Sequence, residues 1–232
     1  MTAVHTTAEP DYPATGRIRA LRALVAAESR MVVREYANLL IPIGMPVLVL
    51  ITSSTMSGSE PIAGTGFTAL ELFVLPIVAA MVLAYIGLIN MPSFLAHYRK
   101  DGVLRRLGAT PVSPALVLVA QVIVSAAQAF VGVGIALGVA VFAFGAELPA
   151  APGMSIAVFF MAMVTMYSLG MVISALAPST NAAIAVGVLS FLVLGALGAA
   201  WAAVPVEPLT FVTLAATAIV SIAIAIIWFR WE

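Results

Sequence analysis

ALVLVAQVIVSAAQAFVGVGIALGVAVFAFG, residues 115–145, is an apolar run of about 30 residues that contains no charged side chain. A helix needs about 20 apolar residues to cross the hydrocarbon core of a bilayer, so this run can cross it with some tilt. The whole chain is 63% hydrophobic and only 9% charged, which leaves too little polar surface to cover a soluble globule. The composition therefore places the chain among membrane proteins.

Five further apolar runs accompany this one, and together they predict an all-α membrane protein with six transmembrane helices. The glycines between Leu194 and Trp201 leave open whether the fifth span breaks into shorter re-entrant helices. The predicted spans cover residues 39–56, 67–91, 115–145, 154–177, 182–203 and 209–228.

The ten basic residues predict how these spans are oriented. They precede the first span, lie between the second and third spans, or follow the sixth span. The charged residues of the other loops are all acidic. Short cytoplasmic loops are enriched in Lys and Arg, so six spans place both termini in the cytoplasm. We therefore expect a multi-pass protein of the inner (plasma) membrane.

Ahead of the first span, residues 1–15 are polar and flexible in our interpretation, and residues 16–37 predict an amphipathic interfacial helix. Its apolar residues share one face, while Arg30 and Arg34 lie on the other, as suits a helix in the layer of anionic lipid headgroups. Glu28 falls within the apolar face and has no basic residue one turn away. Its carboxylate either pairs with Arg105 or Arg106 or turns toward water.

Residue sets that would support catalysis do not stand out in the sequence. A Gly-x-x-x-x-Gly-Lys-Ser/Thr loop, which would hold the phosphates of ATP, is missing, as are a Ser-His-Asp set and a Gly-x-Ser-x-Gly turn. With no cysteine and two histidines far apart, we predict no metal site and no catalytic residue. Net charge is zero, so no nucleic-acid partner is expected.

Uncharged polar side chains lie within the predicted spans, which are otherwise apolar. Gln121 and Gln128 are seven residues apart and so share one face of their helix. Hydrogen bonding between helices is one interpretation, and the lining of a substrate path is the other. The scarcity of charges disfavours a proton-driven pump and favours a hydrophobic or amphiphilic cargo. The candidate path residues are Tyr85, Asn90, Gln121, Gln128, Thr165 and Tyr167.

The loop between the second and third spans, residues 96–114 of the transmembrane domain 38–232, carries a more specific pattern. Residues 102–114 read GVLRRLGATPVSP, and residues 170–183 read GMVISALAPSTNAA. In this order around six spans, both segments resemble ABC-2 type transporter permeases. A merely basic inner loop would explain the arginines but not the Thr-Pro-x-Ser-Pro ending.

The resemblance implies a permease that binds separate ATP-binding cassette ATPase subunits and pairs with a second permease copy in a homodimer or heterodimer. ATP and Mg would bind to the ATPase partner, and no cofactor to this chain. The loop would form a coupling helix that docks on the ATPase and drives export of a drug or lipid. The alternative is an ATPase-independent secondary transporter or membrane scaffold. The implied coupling residues are Gly102, Val103, Leu104, Arg105, Arg106, Leu107, Thr110 and Pro111.

Overall fold

The computed structural model describes residues 14–57, 60–102, 114–149, 151–201 and 208–228. In these ranges the chain is helical apart from short connections and one isolated antiparallel bridge between Pro61 and Thr68. Most of the predicted flexible segment, residues 1–13, lies outside them. The helices are α1 (Ala14–Arg34), α2 (Tyr36–Ser57), α3 (Leu70–Lys100), α4 (Pro114–Phe144), α5 (Pro152–Leu176), α6 (Thr180–Trp201) and α7 (Pro208–Trp228).

Four of these helices, α2 to α5, are long and apolar enough to cross a membrane. The described parts of α6 and α7 add two shorter apolar stretches, Thr180–Gly195 and Val212–Ile224. The backbone of α6 continues as one helix to Trp201, so a break after Leu194 is not observed. The prediction of an all-helical fold with several apolar spans is therefore confirmed.

The second span is longer than the sequence predicted, because α3 continues past Met91 to Lys100. The first residues of the predicted loop 96–114 are thus helical. Pro92 has no N–H to donate, so a carbonyl in the preceding turn loses its usual helical partner. That turn, Ile86–Asn90, is π-helical, a widened form in which irregular hydrogen bonding is accommodated within a continuous helix.

Helix α3 forms the centre of the bundle and packs against α5 and α6 at the π-helical turn Ile86–Asn90. A methyl group on Gly170 would lie 1.9 Å from the carbonyl oxygen of Gly87, and one on Gly187 would lie 2.1 Å from that of Leu88. Only glycine fits such contacts, which bring helix backbones together as small residues commonly do in membranes.

Among the described residues, the largest apolar cluster contains the buried side chains of Val82, Ile86 and Leu95 from α3. Ala129 of α4, together with Met163 and Tyr167 of α5, adds buried side chains from the two neighbouring helices. Because the lipid around a span is as apolar as these side chains, close packing rather than water exclusion holds the helices together.

Glu71 joins two connections at one end of the bundle. The Thr68 N–H and hydroxyl donate to Glu71 Oε2 over 2.8 and 2.9 Å, and the Glu71 N–H donates back to the Thr68 hydroxyl over 3.3 Å. This reciprocal pair is a capping box. Glu71 Oε1 accepts the Glu147 N–H over 2.7 Å, just beyond Gly145, whose φ of 69° ends α4. The Glu71 side chain therefore joins the connection that follows α2 to the connection that follows α4 by hydrogen bonds.

Candidate functional site

The last turns of α3 lead directly into the predicted coupling segment and contact α1 and α4 along one face. Phe94 and Tyr98 are one turn apart, so they share that face. Phe94 packs with Val32 of α1 and Val124 of α4, and Tyr98 packs with Val117 of α4. Tyr98 is only 5% exposed. The end of α3 is thus held between α1 and the start of α4.

Glu28 of α1 is bound to this same face of α3. The Tyr98 hydroxyl donates to Glu28 Oε1 over 2.6 Å, and Glu28 is 6% exposed. Burial raises the pKa of the Glu28 carboxyl above its ordinary 4.5, and the Tyr98 hydrogen bond offsets part of that rise. The predicted turn of this carboxylate toward water is therefore not observed. The other predicted partners, Arg105 and Arg106, lie outside the described residues.

Helix α1 has the predicted amphipathic character, and much of its apolar face packs on protein. Arg30 and Arg34 are exposed on the opposite side. Val32 is buried against α3 and α4, and Leu24 packs against the Tyr98 cluster. Because these contacts come from helices distant in sequence, the amphipathic pattern alone could not distinguish protein from lipid as the partner of this face.

Arg99 binds the end of α5 from the opposite side of α3. Its Nη2 donates to the carbonyl oxygen of Ala177 over 2.5 Å. Ala177 is the residue at which α5 gives way to extended backbone, so its carbonyl belongs to the partly negative C-terminus of that helix. The sequence suggested only an inner-loop charge for Arg99.

Gly102 is the one predicted coupling residue that the structure describes. Its φ is 64°, a left-handed conformation that favours glycine, and its N–H donates to the Arg99 carbonyl over 3.1 Å. It follows the last helical residue of α3, Lys100, by two positions. The other predicted coupling residues, Val103, Leu104, Arg105, Arg106, Leu107, Thr110 and Pro111, lie outside the described residues.

Two of the predicted path residues, Asn90 and Gln128, meet at one backbone carbonyl of α2. Asn90 Nδ2 and Gln128 Nε2 both donate to the Asn38 carbonyl oxygen, over 3.0 and 2.6 Å. In a regular helix this oxygen would accept the N–H of residue 42, but Pro42 has none. The two amides thus replace the missing bond and connect α2, α3 and α4.

The remaining predicted path residues differ in their surroundings. The Thr165 hydroxyl contacts the carbonyls of Met161 and Leu214, at 2.8 and 3.2 Å, which links α5 to α7. Gln121 Oε1 and the Tyr167 hydroxyl are buried and have no hydrogen-bond partner in the described part of the chain.

Tyr85 is half-buried, unlike the fully buried Gln121 and Tyr167. Its ring meets Phe191 of α6 edge to face, with ring centroids 6.1 Å apart. The six residues therefore differ in their burial and in their hydrogen-bond partners.

Sequence reasoning missed three contacts. It did not identify Tyr98 as the hydrogen-bond partner of Glu28 or Arg99 as a donor to the Ala177 carbonyl. It also missed the close approach of Gly87 and Gly170. A partial signal existed for the Asn38 carbonyl, because a proline inside a helix always frees the carbonyl four residues earlier. No group of three or more His, Asp or Glu residues in the described ranges is placed to hold a metal ion.

A family model described as ABC-2 type transporter matches residues 19–204, from the first turns of α1 to just beyond α6. The chain belongs to the ABC-2 type transporter family. It is thus a permease component of the multi-pass membrane type, and such permeases in general work with an ATPase partner in a dimeric arrangement. Neither the curated proteins nor the solved structures gave a significant match.

Proposed function

We propose that this permease exports a hydrophobic or amphiphilic cargo, such as a drug or lipid, with energy from separate ATP-binding subunits. ATP and Mg would bind to those subunits, and a second permease copy would complete the path across the membrane. The family match over residues 19–204 carries this proposal. Helices α4 to α7 contain no charged residue, which supports a cargo that is itself largely apolar.

We further propose six spans with both termini in the cytoplasm. The lengths of α6 and α7, 22 and 21 residues, support two spans beyond the four longest helices. The end of the bundle that contains Glu71 and Glu147 would face outward, and the end that contains Arg99 would face inward. Helix α1 would then lie at the cytoplasmic surface, with its exposed arginines toward the headgroups.

For the cargo path we retain Tyr85, Gln121 and Tyr167 as candidates. Asn90, Gln128 and Thr165 already bond to backbone carbonyls, which favours their role as links between helices. Gln121 and Tyr167 each carry a buried polar atom without a described partner, and Tyr85 is partly accessible. Tyr85 would contact a polar part of an amphiphilic cargo in this conformation, whereas Gln121 and Tyr167 would reach one only when the surrounding helices separate.

The test is a charge reversal in the proposed coupling loop, Arg105→Glu with Arg106→Glu. We expect this variant to lose co-purification with an ATPase subunit that carries a phosphate-binding loop, because the arginines would pair with acidic groups of that partner. ATP-dependent transport of ethidium and of a fluorescent phosphatidylethanolamine in inside-out vesicles should fall with it. The matched control is Arg19→Glu with Arg22→Glu, which makes the same charge change on exposed residues of α1.

Unchanged ATPase association and transport in the loop variant would show that these arginines do not couple the two subunits. Transport by the purified chain without any ATPase subunit would instead support the secondary-transporter alternative. A chain that neither associates with an ATPase nor moves either probe would fit a scaffold.

A further inference from the structure

The last turns of α3 present two different faces to two different parts of the molecule. Phe94 and Tyr98, one turn apart, contact α1 and α4. Ala96 and Arg99, three residues apart, contact the connection between α5 and α6, where Ala96 is buried in one cluster with Ala177. Lys100, the next residue along the helix, belongs to neither face and is exposed.

Each face ends in a polar contact that cannot be exchanged easily for water. On the first face, the Tyr98 hydroxyl and Glu28 are both at least nine-tenths buried, so separating them would leave a buried carboxylate without a partner. On the second face, Arg99 makes a charge-assisted bond to the carbonyl that ends α5. Both bonds start from neighbouring residues of α3, at the turn that precedes Gly102.

This arrangement limits how the turn can move. When residues 98 and 99 are displaced, each bond must either break or carry its partner with it, which is α1 for Tyr98 and the α5–α6 connection for Arg99. The coupling segment 103–113 begins directly beyond this turn, so a force on that segment reaches α3 there first.

We propose that Tyr98 and Arg99 are positioning residues that split one displacement of the coupling loop into two movements. Tyr98 passes it to α1 through Glu28, and Arg99 passes it to the α5–α6 connection through Ala177. The inference rests on the proposed function, since it requires an ATPase that moves residues 103–113. Beyond that function, the inference identifies Tyr98 and Arg99 as the side chains that transmit the movement into the membrane domain.

The test uses spin labels, because the chain has no native cysteine. The first pair of labels is placed at Ala27→Cys on α1 and Val131→Cys on α4. The second pair is placed at Asn181→Cys on α6 and again at Val131→Cys. All three positions are exposed. Distances are measured by pulsed electron paramagnetic resonance in the complex with its ATPase, with ADP and with ATP plus vanadate. We expect both distances to shift between the two nucleotide states.

In Tyr98→Phe we expect loss of the α1 shift and retention of the α6 shift, and in Arg99→Met the reverse. Glu28→Gln, which keeps an oxygen acceptor for Tyr98, should retain the α1 shift, whereas Glu28→Leu should lose it. The exposed neighbour Lys100→Met and the exposed Tyr36→Phe serve as matched controls and should retain both shifts. Size-exclusion profiles verify that every variant is folded.

Retention of both shifts in Tyr98→Phe and Arg99→Met overturns the inference, as does loss of both in either one. So does a wild-type complex that hydrolyses ATP without either shift. If no ATPase associates with the wild-type permease, the proposed function itself fails, and co-purification and ATP hydrolysis separate that result from a failure of the two positioning residues.

Discussion

At the scale of single residues, the most unusual group is the Glu28 carboxylate, buried on the apolar face of an amphipathic helix. Its hydrogen bond from Tyr98 compensates only part of the cost of removing a charge from water. The raised pKa follows from this imbalance, because burial favours the neutral carboxyl over the carboxylate. Glu28, a polar residue on an apolar helix face, therefore links α1 to α3 through a hydrogen bond.

The raised pKa predicts how stability responds to pH. The folded protein binds the Glu28 proton more tightly than the unfolded chain, so this group stabilises the fold at low pH and loses that contribution as pH rises through the folded pKa. We expect the melting temperature of wild-type protein in detergent to increase as pH falls toward 4.5 relative to Glu28→Gln, which should be at least as stable at pH 7. Glu60→Gln, at an exposed carboxyl, is the control. Parallel pH profiles for wild type and Glu28→Gln would contradict this explanation.

At the scale of elements, α3 departs from regular helix geometry where it contacts its neighbours most closely. Its π-helical turn Ile86–Asn90 and the following Pro92 place irregular backbone opposite Gly170 and Gly187. Irregular backbone is tolerated at membrane depth when protein covers it. The glycines of α5 and α6 provide that cover, because no side chain separates their backbones from α3.

A single methyl group should therefore disturb this contact. We expect Gly170→Ala to destabilise the protein by about 1–3 kcal/mol, as overpacking commonly does, because the new Cβ would lie 1.9 Å from the Gly87 carbonyl oxygen. Gly134→Ala is the matched control: nothing lies within 4 Å of its Cβ position, so it should raise stability by up to about 1 kcal/mol through helix propensity. Reversible unfolding in mixed micelles measures both changes. Equal stability of the two variants would show that α3 and α5 do not pack this closely.

At the scale of the whole molecule, different charged side chains hold the two ends of the bundle. One end is tied by the Glu71 carboxylate, which binds the connections after α2 and after α4. The other end is tied by Arg99 and by the pair of Glu28 and Tyr98. Glu71 and Arg99 therefore lie at opposite ends of α3, as expected if the end that contains Arg99 faces the cytoplasm.

This distribution predicts the labelling of two introduced cysteines. Thr65→Cys lies in the exposed connection between α2 and α3, and Asp101→Cys lies just beyond the other end of α3, also exposed. In intact cells we expect a membrane-impermeant maleimide to modify the first and not the second, with both modified once the cells are permeabilised. The cysteine-free parent chain gives the background. Modification of Asp101→Cys from outside would reverse the proposed orientation.

The sequence by itself determined the class of the protein, most helix boundaries to within a few residues, and the family to which the chain belongs. Hydropathy, charge and short motifs are local properties, so no neighbouring helix is needed to interpret them. It placed the end of the second span at residue 91, whereas α3 continues to Lys100 with Pro92 inside the helix. It identified Glu28 and Gln128 as polar residues on otherwise apolar helix faces.

Only the tertiary structure decided which groups are the hydrogen-bond partners of these polar residues. Glu28 bonds to Tyr98, Gln128 to the carbonyl that Pro42 frees, and Arg99 to Ala177, all far apart along the chain. The physical reason is that a buried polar group must find a donor or acceptor, but helix packing selects which one comes within hydrogen-bond distance. The same packing brings Gly87 against Gly170, a contact that no periodicity within either helix could specify.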